Sequence, residues 1–406
     1  MISIYVMHCP EPERVKVGIM VDSKRIAVGL RSRVRFDRNE LAGAFGDIGT
    51  DLPLIVGMIL ASGMDTGSVL VVFGALQIVT ALAYGIPMPV QPLKAVAAIV
   101  IAQNVQSNLI FGAGLAIGVV MLLLTITGLI DWLARVIPKA VIRGIQFGLG
   151  LQLSYLALTR YVQSEGIPGY VLATLSFAVV IALVGNKRLP PALLVIAMGF
   201  LYSLLFKVDA RVFASSVGFS LPQVHVPTAE DIVQGFLLLS LPQIPLSLGN
   251  SLLATRRIAQ DYFPDKAPPL RKIAFTYSSM NILSPFFSGI PVCHGSGGMA
   301  GHYFFGARTG GSVILYGTLF LLLGLVFSSG FSAVIQIFPL PVLGVILLFE
   351  GIALIRLMRD VTSSTTDLSV VLVVGLIAVG LPYGYVVGMI VGVLLDMVFR
   401  HNAKAD

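Results

Sequence analysis

Two short stretches put polar chemistry into otherwise apolar sequence. The first, GIPMPVQPLKAVAA at residues 85–98, holds Pro87, Pro89 and Pro92, and Lys94 follows at once. The second, GIPVCHGSGG at residues 289–298, carries His294, Ser296, Gly297 and Gly298. Prolines fix φ, remove N–H donors and push the preceding residue into extended geometry. Each stretch is therefore expected to run extended and then open a helix, near Gln91 or Pro92 in the first and near Gly297 or Gly298 in the second. A helix start offers unpaired N–H groups and about half a positive charge. Two such starts and Lys94 together supply about two positive charges, the complement of a small dianion held mainly by hydrogen bonds.

Two further stretches supply polar groups. GDIGTDLP places Asp47, Thr50 and Asp51 together, with the aspartates four apart and so on one helical face. Their expected role is to carry a coupling proton or cation, or to shape the site. Lys94 either contacts a substrate, pairs with Asp47 or Asp51, or snorkels to an interface. LPQIPLSLGNSLLAT supplies Gln243, Ser247, Asn250, Ser251 and Thr255. These are neutral donors that would bind an oxyanion without repelling it. Gln243 and Asn250 lie seven apart, again on one face. The competing role for such residues is interhelical hydrogen bonding. The expected substrate-binding set is thus Gln91, Lys94, Gln243, Asn250, His294, Ser296, Gly297 and Gly298. His302 is expected to be structural, and Glu350, with Arg356 and Arg359 beyond it, to form a structural salt bridge. No catalytic residue, resident cofactor or metal set is expected. No phosphate-binding glycine loop or nucleophile elbow occurs, and the only cysteines are Cys9 and Cys293.

The elements that must position these groups are membrane spans. The chain is 56% hydrophobic and 12% charged, against about 25% charged in soluble domains, and its mean hydropathy is +0.91. Apolar runs of spanning length recur from about residue 41 to 400. They divide into about fourteen spans, 41–60, 66–84, 90–105, 109–131, 138–159, 168–185, 189–206, 231–255, 270–288, 293–306, 311–329, 334–355, 367–381 and 383–399. With both termini in the cytoplasm, 23 of the 27 Lys and Arg residues fall inside and only Arg160, Lys207 and Arg211 outside. That asymmetry follows the positive-inside rule and accounts for the net charge of +7 without nucleic acid. Residues 1–36 read as a basic cytoplasmic arm with no cleavable signal peptide. Trp132 fits an interfacial anchor.

The two halves repeat. Gly-Ile-Pro recurs at an offset of 204, each time after a span with one amide, Gln77 and then Asn281. At the same offset Gly46 aligns with Asn250. Seven spans per repeat force the halves into opposite orientations, the inverted plan of secondary transporters, whose sites lie where interrupted helices meet.

GAFGDIGTDLPLIVGM, YGIPMPVQPLKAVAAI, QIPLSLGNSLLATRRIAQDYFP and PVCHGSGGMAGHYFFGARTGGS together resemble the molybdate transporter family, whose members are also described as sulfate/molybdate transporters. The likeness spans residues 36–400. Membership in the wider sulfate-permease and uracil-permease-like superfamily would imply an all-α, 7+7 inverted-repeat transporter. A core of residues 37–134 and 228–330 would move against a gate of residues 135–210 and 331–400, with substrate between spans 1, 3, 8 and 10. The implied function is secondary active transport of molybdate across the cytoplasmic (inner) membrane by alternating access, coupled to protons. The alternatives are sulfate transport or an anion channel on the same scaffold. The implied partners are molybdate or sulfate, the lipid bilayer and, as an open question, a second copy in a homodimer. The chain stops at Asp406, without the cytosolic domain that typical sulfate permeases carry after the last span. Gln243 and Asn250 stand where uracil-type carriers use an acidic residue.

Overall fold

The structure, a computed structural model, describes residues 33–130, 137–183, 191–206, 218–328 and 338–402, with Trp132 and Ile335 besides. Most of the basic arm, Cys9, Lys187, Arg188, Lys207 and Arg211 lie outside the described residues. The first half contains α1 (Arg38–Ala44), α2 (Ile48–Ser62), α3 (Thr66–Tyr84), β1 (Val90–Pro92), α4 (Lys94–Gln103) and α5 (Ser107–Thr127). It continues with α6 (Lys139–Leu156, extended by a π-helical turn to Tyr161), α7 (Gly166–Leu183) and α8 (Pro191–Phe206). The second half contains α9 (Ala229–Gly235), α10 (Leu241–Leu246), α11 (Thr255–Tyr262), α12 (Leu270–Leu283), β2 (Val292–His294), α13 (Ser296–Phe304) and α14 (Gly311–Val326). It closes with α15 (Leu340–Arg356), α16 (Thr365–Gly380) and α17 (Gly384–Asn402).

Among the described residues, seven helical stretches are long and apolar enough to cross a membrane, with shorter apolar helices between them. The short ones include α4, whose 10 residues reach only part-way across a bilayer. Its shortness is imposed from the front by Pro87, Pro89 and Pro92. At Gly85, φ is +67°, the left-handed value that ends α3 and lets the chain turn back into the protein.

Helices from residues 38–127 and 229–326 pack mainly on one another, as do those from 139–206 and 340–402. In the first group α3 and α14 meet backbone to backbone. A Cβ built on Gly74 would stand 2.5 Å from the Gly317 carbonyl oxygen, and one on Gly317 2.7 Å from that of Gly74. In the second group Gly150 and Gly351 allow the same approach between α6 and α15. Close approach through small residues suits a bilayer, where packing and hydrogen bonding replace the hydrophobic drive.

The extended segments meet each other. β1 and β2 form an antiparallel pair, with Val90 opposite His294, Gln91 opposite Cys293 and Pro92 opposite Val292. Each strand is held by the amide noted in its own half. Gln77 Nε2 donates to the Val90 carbonyl at 2.6 Å, and the Val90 N–H donates to Gln77 Oε1 at 2.8 Å. Asn281 Nδ2 donates to the Val292 carbonyl at 2.6 Å, and the Val292 N–H donates to Asn281 Oδ1 at 2.9 Å. The duplicated bond pair is the inverted repeat expressed in hydrogen bonds. It also satisfies backbone groups that no water could reach inside a bilayer.

Two helix starts correct the sequence expectations. Helix α4 begins at Lys94 rather than near Gln91 or Pro92, because those two residues are spent in β1. Helix α13 begins at Ser296, one to two residues before Gly297 or Gly298. The end of the basic arm is fixed: the Arg33 carbonyl accepts from the Gly310 N–H, and the Arg35 N–H donates to Thr309 Oγ1.

Candidate anion site

Lys94 and Ser296, each the first residue of its helix, both line one cavity of about 220 Å³. Gln91, Gln243, Asn250, Ser251, Cys293, His294, Gly295 and Gly297 add to its wall. Seven of the eight expected binding residues therefore share one cavity. The exception is Gly298, which is buried against Asp47; a Cβ there would stand 2.1 Å from Asp47 Oδ2. Gly297 faces open space, with no atom within 4 Å of a Cβ built on it.

Neither helix start is capped by its own N-cap side chain. The first-turn amides of α13 at Ser296, Gly297 and Gly298 thus keep the orphan N–H groups of any helix N-terminus. At α4, Gln243 Oε1 accepts from the Ala95 N–H at 2.9 Å, and Gln243 Nε2 donates to Ser247 Oγ at 3.1 Å. Ser247 is in turn bonded to the Tyr277 hydroxyl at 2.7 Å. Gln243 therefore spends both amide atoms on structure at the cavity wall. Asn250 faces the cavity with its side-chain amide unpaired among the described residues. The chain around it is π-helical from Ser247 to Ala254, so the seven-residue spacing does not follow an ordinary α-helical face. Thr255 Oγ1 is occupied by the His294 carbonyl at 3.1 Å.

His294 is held at one ring nitrogen only; its buried Nδ1 has no partner among the described residues. Its Nε2 is bonded to Thr276 Oγ1 at 2.7 Å, and its ring stands edge-on to Tyr84 at 5.4 Å. His302 is fully buried, with Nδ1 bonded to Ser312 Oγ at 3.1 Å and its ring edge-on to Tyr316.

Asp47, Thr50 and Asp51 lie behind the cavity wall. Gln91 Nε2 donates to both oxygens of Asp47 at 2.7 Å, so the buried carboxylate fixes a residue that lines the cavity. Asp51 is fully buried; its Oδ2 accepts from the Tyr316 hydroxyl at 3.1 Å and its Oδ1 has no partner. Thr50 is half-buried, and its N–H donates to the Asp47 carbonyl.

The ion pair of Lys94 is with neither aspartate. Its Nζ stands 3.9 Å from Glu350 Oε2 of α15, with side chains 36% and 17% exposed. Glu350 therefore bridges to α4 across the two helix groups, instead of pairing with Arg356 or Arg359. The arrangement is a cavity of about 220 Å³ between two helix N-termini, with an ammonium and neutral donors on its wall. Such an arrangement is suited to binding an anion.

No motif announced the opposite wall, made by Gln146 and Leu149 of α6 and by Leu354 and Leu357. Nor did any flag Glu40. That buried carboxylate accepts from the N–H groups of Arg308 and Thr309 through Oε1, at 2.9 and 2.8 Å, and from that of Ser312 through Oε2 at 3.0 Å. It caps α14 from more than 260 residues away. The Asp37-x-x-Glu40 spacing was a visible signal, but it points to a local capping box. Asp37 does cap α1, while Glu40 reaches elsewhere.

The model of a family described as molybdate transporter of MFS superfamily matches residues 39–153 and 235–354. Molybdate transporter 2 of Arabidopsis thaliana is 34% identical over 386 residues, covering 82% of each chain. Molybdate transporter 1 of Arabidopsis thaliana is 31% identical, covering 97% of this chain and 95% of its own. Molybdate transporter 1 of Chlamydomonas reinhardtii is 25% identical. Among solved structures, the murine solute carrier 26 family member A9 anion transporter, in its inward-facing state, superposes with a TM-score of 0.71 at 13% identity. That match covers 99% of this chain and 77% of the other. The transmembrane domain of the cyanobacterial bicarbonate transporter BicA gives 0.62 at 16% identity, covering 89% and 98%. The fold is thus the 7+7 inverted repeat of these anion transporters. It differs from the 6+6 architecture that the words MFS superfamily would imply.

Proposed function

Because the chain belongs to the molybdate transporter family, we propose that it is a secondary transporter of molybdate. The observation that carries this is the cavity between the starts of α4 and α13, with Lys94 on its wall. Molybdate is a tetrahedral dianion with acceptors on every face. Orphan amides, Ser296 and Asn250 supply donors, and two helix ends and Lys94 supply about two positive charges. Gln91, Gln243 and Gly298 act one step back. Gln91 is oriented by Asp47, Gln243 fixes the start of α4, and Gly298 makes room for the Asp47 carboxylate.

Transport proceeds by alternating access. Residues 37–134 and 228–330 form a core that carries the site, and residues 135–210 and 331–400 a gate that covers it. The packing preference of the helices supports this division. The core–gate contact through Lys94 and Glu350 is part of what must break when the core moves. A proton is the coupling ion, carried at Asp51, whose Oδ1 lacks a partner and whose neighbours are Asp47 and Tyr316. The protein sits in the cytoplasmic (inner) membrane with both termini in the cytoplasm, an orientation that the charge asymmetry supports.

Purified protein in liposomes should take up molybdate saturably, faster with an inwardly directed proton gradient, and excess sulfate should compete. Sulfate uptake that molybdate fails to inhibit would reassign the substrate. Absence of uptake of either ion would refute the function. Unitary currents without saturation would replace the carrier with a channel.

A further inference from the structure

We propose that Gln146, on the gate side of the cavity, is a direct oxyanion ligand, and that Arg143 and Asp360 hold it in the donating orientation. This rests on the transport function above and names a contact that the sequence motifs do not contain.

Gln146 lies on α6, which packs mainly with α15 and α16 and also meets α4, whose start forms part of the rest of the site. It is fully buried and lines the cavity. Its Oε1 accepts from Arg143 Nη1 at 2.9 Å. Arg143 is in turn clamped by Asp360, which accepts from Nε at 2.9 Å through Oδ1 and from Nη2 at 2.6 Å through Oδ2. A guanidinium only donates, so the Gln146 oxygen must face Arg143 and the amide nitrogen must point the other way. That nitrogen is buried and has no partner. An unpaired buried donor is a cost that native proteins seldom carry without a reason. The other gate residues on this wall, Leu149, Leu354 and Leu357, have no side-chain donor to offer. An oxyanion in the cavity would accept from Gln146 Nε2 on one side and from the α4 and α13 starts on the other. The ligand would then bridge gate and core. The Gln146 contact would form only while the two are apposed as they are here.

The test is equilibrium binding of molybdate to purified protein by calorimetry, with thermal unfolding recorded with and without molybdate. A hydrogen bond to a charged acceptor is worth roughly tenfold to a hundredfold in affinity. Gln146→Leu should therefore raise Kd by roughly tenfold or more, and it should shrink the molybdate-induced rise in Tm. Ligand-free Tm should change little, because the variant removes an unpaired buried donor together with one acceptor of the partly exposed Arg143. Gln146→Met offers the same test with an unbranched side chain if the leucine variant folds poorly. Gln146→Glu, which replaces a donor by a negative group, should lose binding altogether. Arg143→Gln should weaken binding less than Gln146→Leu, and the double variant should bind no worse than Gln146→Leu alone, since Arg143 acts through Gln146. A Gln146→Leu variant with wild-type Kd, or one whose ligand-free Tm falls while Kd stays unchanged, would overturn the assignment. Wild-type protein that binds neither molybdate nor sulfate would instead refute the transport function itself.

Discussion

Replacing Gln77 with leucine removes no group from the cavity wall, yet it should disable the transporter. Gln77 is fully buried, and its amide exchanges two hydrogen bonds with Val90, at 2.6 and 2.8 Å. Leucine would leave a buried carbonyl and a buried N–H unpaired, at about 1–3 kcal/mol each. The added apolar contact offsets about 1 kcal/mol of this. The net loss is then about 3 kcal/mol, concentrated on β1. That strand carries Gln91, which binds Asp47, and leads directly into Lys94 at the start of α4. Asn281→Leu should do the same to β2 and the start of α13, because Asn281 holds Val292 by the equivalent pair of bonds. The assay is thermal unfolding in detergent together with molybdate uptake in liposomes. Both variants should melt several degrees below wild type and lose most uptake. If either keeps wild-type Tm and uptake, the strands do not set the helix starts, and the reasoning fails.

Other consequences concern the surroundings of the site. Gly298→Ala puts a methyl group 2.1 Å from Asp47 Oδ2 and should both destabilise the protein and abolish uptake. Gly297→Ala meets open space, so it should fold normally but narrow the cavity, reducing molybdate affinity more than that for the smaller sulfate; calorimetry with the two ions gives the ratio. Glu350→Gln frees Lys94 from a partly exposed pair worth about 0.2–1 kcal/mol, so molybdate Kd should fall by up to about fivefold. Glu40→Ala orphans three backbone N–H groups at the start of α14 and should cost about 3 kcal/mol or more, read as a lowered Tm; Glu40→Gln, which keeps acceptor oxygen, should lose less.

Much of the architecture was visible because proline and hydrophobicity act locally. The span expected at 66–84 is α3, residue for residue, and the two proline-bearing or glycine-bearing breaks become β1 and β2. The matched amides at 77 and 281 were also visible, but not what they bind. Gln77 holds Val90, thirteen residues on, whereas Asn281 holds Val292, only eleven on. The fixed offset of 204 therefore drifts by two residues inside the very motif that revealed it. His294 stood out because histidine beside glycines suits an anion site; it lines the cavity, with Nε2 bonded to Thr276 and Nδ1 unpaired among the described residues. The partners of Glu350 and Glu40, and the place of Gln146, were not legible in the sequence. The two glutamates meet partners more than 250 residues away, and the importance of Gln146 depends on which helices face each other across the cavity. Periodicity reports a residue's own helix and nothing of the opposite wall.

The central claim is that one oxyanion sits between the starts of α4 and α13. Molybdenum scatters anomalously, so crystals of the protein grown with molybdate can locate the metal directly at its absorption edge. A single strong anomalous peak is expected inside the cavity, with oxygens within hydrogen-bond distance of Ser296, the first amides of α13 and Gln146. A peak elsewhere, or an empty cavity in protein that binds molybdate in solution, would contradict the claim.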